Sequence, residues 1–351
     1  MANIAHALQC RRSVAMLVGG VLIVFMVAAI ILSIHSGRAD IGIVTIVKIM
    51  LGKAASQGAL LANLKPSSVA IVWDIRLPRI LIAVLVGSGL AVSGAVFQAL
   101  LLNPLADSYT IGVSTGAALG AVLSIYLTLF FTDQTLSIMP FAFVGALLTL
   151  LLVIKIATRG GYISSSNLVI AGILVSSILS AGISFLKNAS GEQVSAIIYW
   201  LMGNLAARTW NHVAVSTPFI AFGTLVCTYF AGDLNILCLG EQEARSLGVN
   251  IQNVRRIYLV TASLLTAVCV SVSGIIGFIG LIVPHVLRFW LTSDNRTLIP
   301  LSALFGGTLL LLADNVSRVF FDVEIPVGVI TTLLGGPFFL YVFITRNKAI
   351  Q

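Results

Sequence analysis

Ten stretches of this chain are apolar over about the length a helix needs to cross a hydrocarbon core, roughly 20 residues, with short polar connectors between them. They read as helices at 13–34, 80–101, 110–131, 138–157, 167–186, 212–231, 256–274, 279–291, 298–320 and 327–345. Inside lipid no water satisfies an open N–H or C=O, so a spanning segment must be a helix or part of a closed barrel. The length of the runs selects the helix. The expected fold class is an all-α integral membrane protein of about ten transmembrane helices, forming a single domain over 1–351. Charge agrees: only 9% of the residues are Asp, Glu, Lys or Arg, against about 25% in soluble domains. Shorter amphipathic pieces are expected at 41–51, 192–203 and 240–249.

The first run, Ser13–Ile34, follows Arg11 and Arg12 in the manner of a signal peptide. It is longer than a signal core and no A-x-A pattern ends it, so it reads as a retained span. An even number of spans puts both termini on one side. Arg11, Arg12, Arg346 and Lys348 make that side the cytoplasm. On this topology Lys and Arg divide eleven inside to nine outside, and six of the nine lie between Ile34 and Ile80 beside only Asp40 and Asp74. A basic outer loop is either a docking surface for an acidic partner or a solvated loop. The net charge of +8 comes with no basic run interleaved with aromatics, so nucleic acid is not an expected partner.

The chain also repeats itself. Ala91-Val92-Ser93-Gly94 precedes Pro104 by the same interval at which Ser271-Val272-Ser273-Gly274 precedes Pro284. The two copies fall on helices expected to run in opposite directions, the pattern of an inverted repeat, and transporters commonly place their pathway at such an interface.

Catalytic signatures are missing. There is no phosphate-cradling G-x-x-x-x-G-K-[ST], no HExxH and no G-x-S-x-G. Cys10, Cys227, Cys238 and Cys269 form no CxxC pair, and His285 stands alone near a helix end, so no metal site is expected. An ion-coupled carrier needs an ionisable residue inside the membrane. The candidate is Asp314, four residues before Arg318 and facing it on one helix. Gly112, Gly116 and Gly120 recur at helical spacing and form a flat stripe for close helix packing or for lining a pathway. The polar connector Leu239–Asn250 reads as a short helix bearing Glu241, Glu243 and Arg245, with Gly248 as its C-terminal cap.

Six motifs carry a resemblance: RLPR at Arg76–Arg79, GLAVSGAVFQ at Gly89–Gln98, NPLADSYTIGVSTGAALG at Asn103–Gly120, GFIGLIVPHVLR at Gly277–Arg288, LLADNVSR at Leu311–Arg318 and PVGVITTLLGGPFFLY at Pro326–Tyr341. In this order they resemble the FecCD-type permeases, the membrane subunits of type II ATP-binding-cassette importers for siderophores, haem and cobalamin. The resemblance runs from about residue 15 to 345. It implies a homodimer in the cytoplasmic (inner) membrane with two cytoplasmic ATPase subunits and an extracytoplasmic substrate-binding protein. It also implies no catalysis and no cofactor in this chain, ATP and Mg being used by the partner ATPase. By residue, it implies that Arg76, Arg79 and Arg318 meet acidic groups of the binding protein. Glu241, Glu243, Ala244, Arg245 and Gly248 belong to the ATPase coupling helix. Asn103, Leu105, Ser164, Ser165 and Ser166 form the cytoplasmic gate. The cargo implied is an iron-siderophore or haem, with cobalamin or a molybdate-type oxyanion as alternatives, and an ion-coupled secondary transporter is the alternative class. Two positions depart from the family pattern: Asn315 replaces a small apolar residue, and Ser108 stands where a proline is common.

Overall fold

The computed structural model describes the backbone of residues 2–348 except 38, 56, 57, 133 and 322, and leaves the side chains at 1–12, 54, 58, 59, 159 and 341–348 outside the described residues. Of the charges used to orient the chain, Arg11, Arg12, Arg38, Arg159, Arg346 and Lys348 fall outside the described side chains.

The chain is a helix bundle. In order it forms α1 (Ala2–His35), α2 (Ile43–Ala54), α3 (Leu77–Leu100), α4 (Val113–Phe130), α5 (Ile138–Ala157), α6 (Ser165–Ala189) and α7 (Val194–Leu201). There follow α8 (Trp210–Tyr229), α9 (Ala231–Leu237), α10 (Glu241–Ser246), α11 (Ile251–Ser273), α12 (Ile279–Trp290), α13 (Asn295–Val319) and α14 (Val327–Lys348). Among the described residues eight helices are long and apolar enough to cross a membrane, and two shorter apolar ones, at Ile279–Trp290 and Val327–Leu340, bring the set to the ten expected. The three amphipathic pieces appear as α2, α7 and α10.

Two departures from the expected boundaries have physical causes. The helix expected from residue 80 begins at Pro66 and reaches α3 through a wide π-turn over Ile71–Arg76. Pro78 has no N–H to give to the α-helical ladder and its ring crowds the preceding turn. A π-turn relieves that crowding. The helix expected from 110 begins at Val113, because Gly112 takes φ +84° and ends the preceding loop. The fourth and fifth long helices are joined by a small antiparallel hairpin, β1 (Thr158–Arg159) with β2 (Tyr162–Ile163), pairing Thr158 with Ile163 and Arg159 with Tyr162. Its two-residue turn is Gly160 at φ +57° and Gly161 at φ +80°, the left-handed pair such a turn requires.

Helices α3, α11 and α13 are the most buried, while α1 turns most of its surface outward. Helix α3 meets α13 and α12 backbone on backbone. A Cβ on Gly87 would stand 2.3 Å from the Gly306 oxygen, and one on Gly94 would stand 2.0 Å from the Gly280 oxygen. In lipid no hydrophobic force draws helices together, so small residues that let backbones approach supply the packing. The same device joins α4 to α5, where Gly116 would meet Thr149 Oγ1 at 2.0 Å and Gly120 the Phe141 oxygen at 2.1 Å.

The proximal end of the bundle is where α1 begins, and the distal end is where it finishes at His35. Helix α3 starts distally, since Arg76 donates to the Ile34 and His35 carbonyls at 2.7 and 3.2 Å. Helix α11 runs against it. Cys269, late in α11, reaches the Val86 carbonyl, early in α3, at 3.6 Å. Arg255, early in α11, shares Ser165 with Leu100 at the end of α3. The two repeat copies therefore run in opposite directions. Locally they differ: Gly94 sits inside α3, whereas Gly274 ends α11 at φ +70°.

Candidate functional site

At the distal end the arginines of the two motifs meet across helices. Asp314, wholly buried on α13, accepts Arg79 Nε at 3.1 Å and Nη2 at 2.9 Å. Arg318 Nε lies 3.1 Å from the other oxygen of the same carboxylate. Arg79 Nη1 continues outward to Glu324 at 2.9 Å, on the loop after α13. A carboxylate wedged between two guanidiniums offsets the cost of taking all three charges out of water only because its lone pairs are used. Asp314 and Arg318 face each other one turn apart, as their spacing suggests. The partner that crosses from α3 is not visible in that spacing. Arg76 is separate, turned onto backbone carbonyls of Ile34, His35 and Ala39. All three arginines are buried and engaged by groups of the chain itself, Arg318 through its ion pair with Asp314 and its hydrogen bond to Asn315, and Glu324 beside them is about a third exposed.

Asn315 has a structural task. Its amide nitrogen donates to Ser33 Oγ on α1 at 2.5 Å and its oxygen accepts from Arg318, so it ties the outward-facing first helix to the ion cluster. Ser108 likewise shares a buried hydrogen bond of 2.8 Å with Ser114 on α4.

Midway through the bundle lies a cavity of 590 Å³ whose walls include Tyr109, Met202, Phe278, Leu281 and Val329, with Asp107 as its carboxylate. The Asp107 side chain accepts from the Tyr109 and Thr110 N–H groups at 3.0 and 3.1 Å and from Thr110 Oγ1 at 3.1 Å. Burial pushes this carboxyl up from the ordinary carboxylate range, and those hydrogen bonds oppose it. Phe278 adopts φ +68°, a conformation costing about 1 kcal/mol or more for a side chain of this size. Phe278 lies in the GFIG segment that opens the GFIGLIVPHVLR motif, and the motif alone does not reveal this backbone strain. Gly112, Gly116 and Gly120 do not line this cavity. Gly116 and Gly120 pack α4 on α5. Gly112 precedes the helix and faces Ser176 and Gly172 of α6, so the three do not share a helix stripe.

At the proximal end, α10 is closed by a C-terminal cap: Gly248, at φ +80°, donates to the Arg245 carbonyl at 3.0 Å and Val249 to the Ala244 carbonyl at 3.0 Å. Ala244 is buried, while Glu241, Glu243 and Arg245 are exposed. Asn103 turns its own loop by accepting the Leu105 N–H at 2.9 Å, and Leu105 is exposed. Ser164 caps α6 through the Asn167 N–H at 3.1 Å, Ser165 donates to the Leu100 carbonyl at 3.0 Å, and Ser166 is exposed. The structure thus brings Ser165 to the end of α3, next to the Asn103–Leu105 segment. Two residues given no role from the sequence hold these parts together: Arg255, on the first turns of α11, and Arg288, which ends the GFIGLIVPHVLR motif and donates to Gln98 and to the Ala95 carbonyl at 3.1 Å. The glycine pair at 160 and 161, between Thr-Arg and Tyr-Ile, was the available signal for the hairpin.

A polytopic helical bundle with a central cavity between two polar ends is the architecture of a membrane permease. The chain belongs to the FecCD transport family, whose model matches residues 16–345. It is 43% identical over 277 residues to the cobalamin import system permease protein BtuC of Halobacterium salinarum, covering 79% of this chain and 74% of that one. It is 38% identical to the hemin transport system permease protein HmuU of Yersinia pestis, covering 79% and 84%. A solved inward-facing structure of a metal-chelate type ABC transporter superposes with a TM-score of 0.80 at 29% identity, covering 93% of this chain and 98% of that one.

Proposed function

We propose that the chain is the membrane-spanning subunit of a binding-protein-dependent ABC importer in the inner membrane, with both termini cytoplasmic, and that its cargo is a metal chelate. The observation that carries the reading is the family match from 16 to 345. On this orientation the distal end faces outward and receives the binding protein, and the proximal end receives the ATPase, which binds ATP and Mg. The cavity opens on one side of the chain, and a second copy facing it completes the pathway of a homodimer. Its mostly apolar lining suits an organic chelate such as an iron-siderophore, haem or cobalamin, the cargoes named for two of the relatives being cobalamin and hemin. A molybdate-type oxyanion fits less well beside Asp107. The test is uptake into proteoliposomes holding this chain with its ATPase and binding protein, with labelled iron chelates, haem, cobalamin and molybdate. Accumulation of one solute that requires both ATP and binding protein is expected. Uptake driven by an ion gradient without ATP overturns the reading.

Docking of an acidic lobe on Arg76, Arg79 and Arg318 must contend with their internal partners. Glu324 occupies the outermost donor of Arg79, so Glu324→Gln should strengthen binding-protein affinity by about threefold, the worth of a part-exposed ion pair. Titration of the reconstituted complex with binding protein reads this directly, and weaker binding would place docking elsewhere.

A further inference from the structure

The carbonyl of Ile163, at the end of the hairpin, accepts from Arg255 Nη1, and its N–H donates to Gln252 Oε1 at 2.9 Å. Both partners stand on the first turns of α11. Arg255 Nη2 extends in two further directions, to Glu241 Oε1 on α10 at 2.9 Å and to Ser165 Oγ on α6 at 3.4 Å. Ser165 passes the connection to the Leu100 carbonyl at 3.0 Å, where α3 gives way to the Asn103–Leu105 segment. One guanidinium therefore touches α10, the hairpin and α6, and reaches the end of α3 through a single hydroxyl. A second contact runs parallel to it: Arg245 of α10 stands over the Tyr162 ring at 5.4 Å.

The chemistry of this joint is specific. Arg255 is 3% exposed, whereas its partner Glu241 is 47% exposed. A buried guanidinium is tolerated only where its donors are used. A planar fork holds three acceptors in fixed directions, which an ammonium at the same place does not. Among the described residues its Nε makes no hydrogen bond, so its hold on these three groups rests on Nη1 and Nη2. Withdrawal of Glu241 by a movement of α10 leaves Nη2 with Ser165 alone, at the long limit of a hydrogen bond. Transmitting a change between sites requires an element whose arrangement both sites bias, and the shared fork of Arg255 gives α10 a direct hold on the hairpin and on α6.

We propose that Arg255 is the positioning residue that links the Glu241–Ser246 helix to the two gate segments, converting displacement of that helix into movement of the hairpin and of the α3–α4 connection. This rests on the reading of α10 as the ATPase coupling helix. Glu241→Gln removes the charge at an exposed position and leaves the contacts of Arg255 with Ile163 and Ser165 in place. Arg255→Lys keeps the charge and loses the fork.

The experiment measures solute taken up per ATP hydrolysed by the full reconstituted complex, together with its thermal midpoint. Both variants should lower uptake per ATP by about threefold or more, with the midpoint of Glu241→Gln unchanged. A purely structural Arg255 gives the opposite pattern: Arg255→Lys lowers the midpoint, and uptake per ATP stays at the unaltered value in both variants. That result overturns the proposal. Absence of ATP-dependent uptake by the unaltered complex overturns the importer reading instead, so the two failures are told apart.

Discussion

Replacing Asp314 by alanine should destabilise the folded chain by about 3–5 kcal/mol, the cost of stranding buried charge when one partner of a pair is removed. Here two guanidiniums are stranded, those of Arg79 and Arg318, both nearly buried. Neither reaches solvent without unpacking α3 from α13 or shifting the loop that carries Glu324. In detergent the thermal midpoint should fall by roughly 5–10 °C, and less protein should elute at the folded position on size exclusion. Asp314→Asn keeps the shape and loses the charge, so it should recover only part of the loss. Glu324→Gln is the control. Its carboxylate is about a third exposed, and exposed pairs contribute about 0–1 kcal/mol. A midpoint unchanged in Asp314→Ala would mean that the two arginines find water in the native state.

Gly94→Val should be the most damaging glycine substitution at a helix crossing. Its first carbon would stand 2.0 Å from the Gly280 oxygen and 2.6 Å from the Gly280 Cα, atoms of another helix's backbone. A clash with a flexible side-chain tip is relieved by rotation, but here α12 as a whole must move. Gln98 and Arg288 hold that helix to α3 just below the crossing. Overpacking costs about 1–3 kcal/mol where neighbours yield, and the loss here should reach or exceed the upper figure. The assay is the folded yield after extraction. Gly20→Ala supplies the contrast: its Cβ meets nothing within 4 Å, and alanine in a helix interior gains about 0.5–1 kcal/mol over glycine.

The sequence made the helices legible because the bilayer imposes one length and one kind of surface on each of them. It made their ends less legible, because ends are set by local backbone chemistry. Pro78 extends its helix backward through a wide turn instead of opening it, and Gly112 at φ +84° starts the next helix later than hydropathy suggests. The glycine motif gave a similar result. Spacing alone put Gly112 in line with Gly116 and Gly120, yet only the latter two lie on α4. Among the candidate site residues, Asp314 with Arg318 is an i, i+4 pair and can be read from spacing. Arg79 joins them from 235 positions away in the sequence, and no local pattern carries that. Arg255 was hidden for the same reason: its partners come from α10, the hairpin and α6, and only folding assembles them. In the sequence Asn315 is only a departure from the family pattern, and its contact with Ser33 appears once α1 is laid against α13.

The glycine crossings have a mechanical consequence. Where backbone meets backbone there is no compliant side-chain layer to absorb sliding, so α3, α12 and α13 form a stiff stator. Whatever motion the permease performs must be taken up at its soft joints: the Gly160–Gly161 turn and the Gly248 cap, left-handed glycines at the ends of elements whose Cβ positions open onto free space. Amide exchange should divide the molecule along that line, slow through the stator and fast at the two joints.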